Sequence, residues 1–121
     1  MQNFTLDIDD DGIALITWDS PGRSMNLIDA GVIEELSSLV DQVSGAAAIK
    51  GAVITSAKEA FCGGADLTLL ERFAALFAEK AKRDGEQAAS AMVFEESRKL
   101  SQLYRRLETS GKPWVAAING T

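Results

Sequence analysis

Ala60-Phe61-Cys62-Gly63-Gly64-Ala65-Asp66-Leu67 is the stretch on which the reading of this chain turns. It follows an apolar run, Gly51-Ala52-Val53-Ile54-Thr55-Ser56, with the length and β-branched content of a strand. It precedes a helical pattern that begins near Asp66. A loop of small residues between a strand and a helix leaves backbone N–H groups free to point into open space. Such groups hold an anion or a polarised carbonyl oxygen. A second informative stretch is Trp114-Val115-Ala116-Ala117-Ile118, followed by Asn119-Gly120-Thr121. A strand that leads into the first residues of a turn is expected of a piece of a longer protein. Together the two stretches read as half of an active site.

Working outward, Phe4, Leu6 and Ile8 alternate with Thr5, Asp7 and Asp9, a half-buried strand. Asp10-Asp11-Gly12 turns the chain into a second strand, Ile13 to Trp18, so the chain opens with a β-hairpin. Asp29 is placed to cap a helix whose apolar residues are Val32, Leu36, Leu39, Val40 and Val43, ended by Ser44-Gly45. The Gly51–Ser56 strand is expected to be covered on both faces. A helix is expected over 67–82, with Leu70, Phe73, Ala74 and Phe77 on its packed face. A second runs from about Glu86 to Glu108 with Val93, Leu100, Leu103, Tyr104 and Leu107 as its stripe. Pro113 stops it, and Trp114 to Ile118 is the last strand. The order is strand, strand, helix, strand, helix, helix, strand. It predicts an α/β fold whose later strands are parallel.

Composition narrows the function. The chain has 121 residues, one domain at most. A net charge of −6 disfavours nucleic acid, whose phosphates call for clustered Lys and Arg. No apolar run reaches the roughly 18 residues of a membrane span, and Met1-Gln2-Asn3-Phe4 does not open a signal peptide. With a single cysteine, this fits a reducing, cytoplasmic setting. The sequence has no histidine, so Cys62 has no imidazole partner, and no metal is expected. Cys62 reads as a small residue packed under its loop.

Several segments, taken in order, resemble the first half of the crotonase (enoyl-CoA hydratase/isomerase) superfamily. They are Gly12 to Trp18, Ser20-Pro21-Gly22 with Asn26, Val53-Ile54-Thr55, Phe61 to Leu67, and Lys112-Pro113-Trp114-Val115-Ala116-Ala117-Ile118-Asn119-Gly120. The turn Pro21-Gly22-Arg23-Ser24-Met25-Asn26 and the long helical stretch before Leu100 are most similar to the N-terminal hydratase domain of multifunctional fatty-acid oxidation enzymes. There a 3-hydroxyacyl-CoA dehydrogenase part follows.

The resemblance implies a crotonase-like fold of ββα units, with residues 1–121 its N-terminal half. It implies an acyl-CoA or enoyl-CoA thioester as substrate, in an oligomer or multienzyme complex. Hydration itself needs no cofactor, and NAD enters only with a dehydrogenase part. The backbone N–H of Ala65 matches one of the family's two oxyanion donors. Gly63 and Gly64 let the backbone approach the ligand, and Leu67 follows the donor. Asp66 is either a helix cap or a contact near the CoA adenine. Arg23 and Lys58 are either solvated or hold CoA phosphates. The family's second donor and its two glutamates match positions beyond Thr121, so the fragment is expected to be inactive alone. One alternative is a non-catalytic α/β module that pairs with another chain through its C-terminal strand. A Rossmann-type nucleotide binder fits poorly, since Gly63-Gly64 lacks the Gly-x-Gly-x-x-Gly spacing.

Overall fold

Alternation along Ile13–Trp18 sets the geometry of the whole chain. Ala14, Ile16 and Trp18 are buried, while Leu15 faces outward. A computed structural model describes residues 1–121. The strands β1 (Phe4–Ile8), β2 (Ile13–Trp18), β3 (Gly51–Ser56) and β4 (Trp114–Ala117) form one sheet in that spatial order. The helices are α1 (Ala30–Gly45), α2 (Leu67–Asp84) and α3 (Glu86–Glu108). β1 runs antiparallel to β2, through a turn in which Asp9 Oδ1 accepts from the N–H groups of Asp11 and Ile13. β2, β3 and β4 are mutually parallel, as expected of strands joined through helices.

The core lies between one face of the sheet and α1. Phe4, Ala14, Ile16, Trp18 and Ala52 meet Val32, Leu39 and Val43, with Ile49 closing the end. Each large side chain so buried contributes on the order of 1.5–3 kcal/mol. Asp29 caps α1 by accepting from the Val32 N–H, 2.9 Å away. At the other end of α1, the Lys112 ammonium donates to the carbonyls of Val43 and Ala46. A cation on the last carbonyls of a helix satisfies them and favours the negative end of its dipole. Lys112 therefore does more than precede a helix-stopping proline: it ties the entry to β4 onto α1.

Two expectations are corrected. The sheet face opposite α1 is not covered. Leu15, Val53 and Val115 lie in register across it, and Val115 is 56% exposed. β3 is thus packed on one face, not both. Likewise α2 buries none of its residues, and Leu70 on its expected packed face is 52% exposed. Helical spacing locates an apolar stripe but does not say that this chain supplies the surface to cover it. α2 and α3 pack on each other, and only Ala89 and Leu103 of α3 are buried. Tyr104, placed on the α3 stripe, is 46% exposed.

Candidate active site

The site begins where β3 ends. The Ser56 hydroxyl donates to the Ala60 carbonyl and accepts from the Lys58 N–H, which closes a tight turn. Phe61 then packs edge-on against Trp18, with ring centroids 6.2 Å apart, and this fixes the loop on the core. The chain next runs extended beside residues 26–28. Gly63 N–H donates to the Asn26 carbonyl, Ile28 N–H to the Gly64 carbonyl and Asp66 N–H to the Ile28 carbonyl, each at 2.8 Å. Alternate backbone groups of an extended segment face opposite sides. With Asp66 N–H turned toward Ile28, the Ala65 N–H points away from it. Ala65 is exposed, and its N–H has no acceptor anywhere in the chain.

That free donor lies two residues before the first turn of α2. The positive end of the α2 dipole therefore acts on the same space. One preorganised N–H at a helix head can hold developing negative charge without reorganising. The two glycines do different work. Gly64 has φ +98°, a conformation side chains resist, and a Cβ there would meet open space. At Gly63 a Cβ would fall 2.2 Å from the Met25 sulfur and 2.9 Å from a Leu27 methyl. The close approach at Gly63 is thus made by the chain's own Met25.

Asp66 is buried and caps α2: one carboxylate oxygen accepts from the Thr68 N–H and hydroxyl, at 2.9 and 2.7 Å. The other pairs with Arg23 at 2.6 Å. Thr68, with Arg23 beside it, holds the Asp66 carboxyl below its usual range. Arg23 also lies 3.7 Å from Asp29, the cap of α1. Lys58 donates to Asp19 and to the Arg23 carbonyl with a side chain only 13% exposed, so its ammonium is committed within the fold. Arg23 and Arg72 line a shallow depression of about 390 Å³ at the heads of α1 and α2. Leu67, the first residue of α2, projects into solvent at 72% exposure. Cys62 accepts from the Gly64 N–H through its sulfur, 3.3 Å away.

Two asparagines that composition and periodicity do not single out hold this loop. Asn26 is fully buried. Its oxygen accepts from the Ser20 N–H, and its amide nitrogen donates to Trp18 O, Ser56 Oγ and Phe61 O. Asn119 accepts from the Ser56 N–H and donates to the carbonyls of Ser56 and Lys58. The Thr121 carbonyl then accepts from Phe61 and Cys62 N–H groups at 2.6 and 3.1 Å. Residues 119–121 therefore lie directly against the turn that carries the free donor.

Comparison with known proteins gives the family and the fold. A family model described as enoyl-CoA hydratase/isomerase matches residues 9–121. The fatty acid oxidation complex subunit alpha of Idiomarina loihiensis is 36% identical over 119 residues, which are 97% of this chain and 15% of that subunit. The subunit of the same name from Shewanella frigidimarina is 37% identical over 124 residues, 98% of this chain and 15% of its own. Among solved structures, an enoyl-CoA hydratase from Shewanella pealeana matches with a TM-score of 0.78. It covers 98% of this chain and 39% of that one, at 19% identity, and so speaks to the fold alone. An enoyl-CoA hydratase from Bacillus anthracis matches with a TM-score of 0.70 and 26% identity, over 98% of this chain and 40% of its own. The fold is that of the crotonases, and the chain belongs to the enoyl-CoA hydratase/isomerase family. It spans about 15% of the length of the curated relatives it matches.

Proposed function

We propose that residues 1–121 form the N-terminal part of an enoyl-CoA hydratase domain, which adds water across the double bond of a trans-2-enoyl-CoA. The observation that carries this is the unpaired, exposed Ala65 N–H at the head of α2. Hydration places negative charge on the thioester oxygen as the β-carbon is attacked. A fixed donor in a site closed to water stabilises that charge by on the order of 3 kcal/mol. In this reading Ala65 supplies one of two donors. Gly63, Gly64 and Leu67 shape the acyl-thioester path, and Asp66 and Arg23 border the CoA side. The second donor and the two glutamates that orient and activate water belong to the part of the domain outside residues 1–121. Residues 119–121 dock on the turn that leads into this loop, through Asn119 on Lys58 and Thr121 on Phe61 and Cys62.

The match to alpha subunits of fatty acid oxidation complexes favours a parent enzyme of fatty-acid oxidation that works in a multienzyme assembly. A 3-hydroxyacyl-CoA dehydrogenase part would use NAD, while hydration would use no cofactor. No helix is long and apolar enough to cross a membrane, and we place the enzyme in the cytoplasm.

Replacing Ala65 by proline in the full-length protein removes the N–H. Crotonyl-CoA turnover is expected to fall by about 100-fold or more. Near-normal turnover by a correctly folded variant would overturn the assignment.

A further inference from the structure

The carboxylate of Asp66 presents a difficulty for an oxyanion site. It is one residue from the donor, is buried, and carries a negative charge where the reaction develops another. Left unpaired, it would oppose the charge that the Ala65 N–H and the α2 dipole favour. Arg23 meets it at 2.6 Å, a charge-assisted bond to a side chain only 7% exposed. The same guanidinium nitrogen is 3.7 Å from Asp29. Asp29 and Asp66 are equivalent in the architecture. Each directly follows one residue of the Ile28–Ala65 bridge, and each caps the helix that comes next. One cation thus ties together both helix heads that flank the donor.

We propose that Arg23 is a positioning residue for the oxyanion site: it neutralises Asp66 and locks the two capped helix starts so that the Ala65 N–H keeps its aim. This rests on the hydratase reading above, and it differs from a role for Arg23 in holding CoA phosphates. A phosphate ligand acts on CoA substrates alone. The clamp acts on any thioester, including one with no phosphate or adenine. It also acts through Asp66, so its effect disappears when the carboxylate does.

The test uses the full-length protein with crotonyl-CoA and crotonyl-pantetheine as substrates. Arg23→Gln is expected to lower kcat by about 10- to 100-fold on both, since small misplacements at a reacting centre have effects of this size. The ratio of the two KM values is expected to hold. Arg23→Lys, which keeps the charge, is expected to restore most of kcat and covers the case in which Arg23→Gln does not fold. In an Asp66→Asn background, where asparagine still caps α2, Arg23→Gln is expected to cost less than about 3-fold, the signature of coupled residues. A rise in KM for crotonyl-CoA alone, with kcat unchanged, would overturn the clamp, as would an equal loss with and without Asp66. Hydrogen exchange at Gly63 and Asp66 N–H reports on the clamp without activity. Arg23→Gln is expected to speed it, and unchanged exchange would count against the proposal. If the unmodified protein fails to hydrate either substrate, the hydratase reading falls, and the exchange measurement still decides whether Arg23 holds the loop.

Discussion

In the proposed site Ala65 acts through its backbone, so the chemistry depends little on which side chains stand there and much on what holds them still. Cys62 illustrates the point. Its sulfur accepts the Gly64 N–H at 3.3 Å, and residues 1–121 hold no imidazole to activate it. Cys62→Ala is expected to leave most turnover intact in the crotonyl-CoA assay, and a loss of several orders of magnitude with the fold intact would make the thiol catalytic. Asp66 is the opposite case, a side chain whose charge matters. Its carboxyl titrates below the unfolded value of 3.8, through its bonds to Thr68 and then to Arg23. The ionised form therefore stabilises the fold in full above that value, and the contribution is lost as pH falls through the lower folded-state value. The stability difference between the natural protein and Asp66→Asn, followed by thermal melts, is expected to shrink as pH drops from 7 to below 3. A difference independent of pH would contradict this account of Asp66. From the sequence, Ala65 could be reached only by motif resemblance. A free N–H has no residue type of its own, and nothing in the order of residues says which amides the fold leaves unpaired. Asp66 as a cap was readable locally. Its pairing with Arg23, 43 positions earlier, was not, because that contact exists only once 26–28 lies beside 63–66.

Elements place these residues through connections that local patterns only partly reveal. The bounds of β1 and β2 follow from period-2 alternation, those of β3 from its short continuous apolar run, those of α3 from period-3.6 spacing, and those of α1 from its cap and its Ser44-Gly45 stop. What alternation cannot supply is the partner. Leu70, Phe73, Ala74 and Phe77 form a genuine stripe on α2, yet α2 buries no residue in this chain. Asn26 shows the converse, a polar residue at the centre of the packing with no periodic signature. Its amide links the end of β2, the end of β3 and the loop that carries the donor. Asn26→Ala leaves the Ser20 N–H and the Phe61 carbonyl without partners, each worth about 1–3 kcal/mol. It is expected to lower protection of the β2 and β3 amides against hydrogen exchange by about 3 kcal/mol or more. Protection within a few tenths of a kcal/mol of normal would show that Asn26 is not the hub described here.

For the molecule as a whole, the surface left uncovered matters as much as the core. Leu15, Val53 and Val115 make an apolar row on the open face of the sheet, and Ile118, just past β4, is 66% exposed. On their own, residues 1–121 are therefore expected to self-associate, measurable by sedimentation. They are also expected to show no enoyl-CoA hydration above background, because the proposed function assigns the acid–base groups, worth about 10²–10⁴-fold, to the rest of the domain. Turnover by these residues comparable to that of the full-length protein would relocate the chemistry. The proposed function rests on one bond, from the Ala65 N–H to the thioester oxygen. The vibrational spectrum of the bound thioester carbonyl reads that bond directly. In the full-length protein with a bound acyl-CoA, the carbonyl stretch is predicted to move to lower frequency than in solution, and to return most of the way in a folded Ala65→Pro variant. An unshifted carbonyl in the natural protein, or the same shift in both proteins, would contradict it.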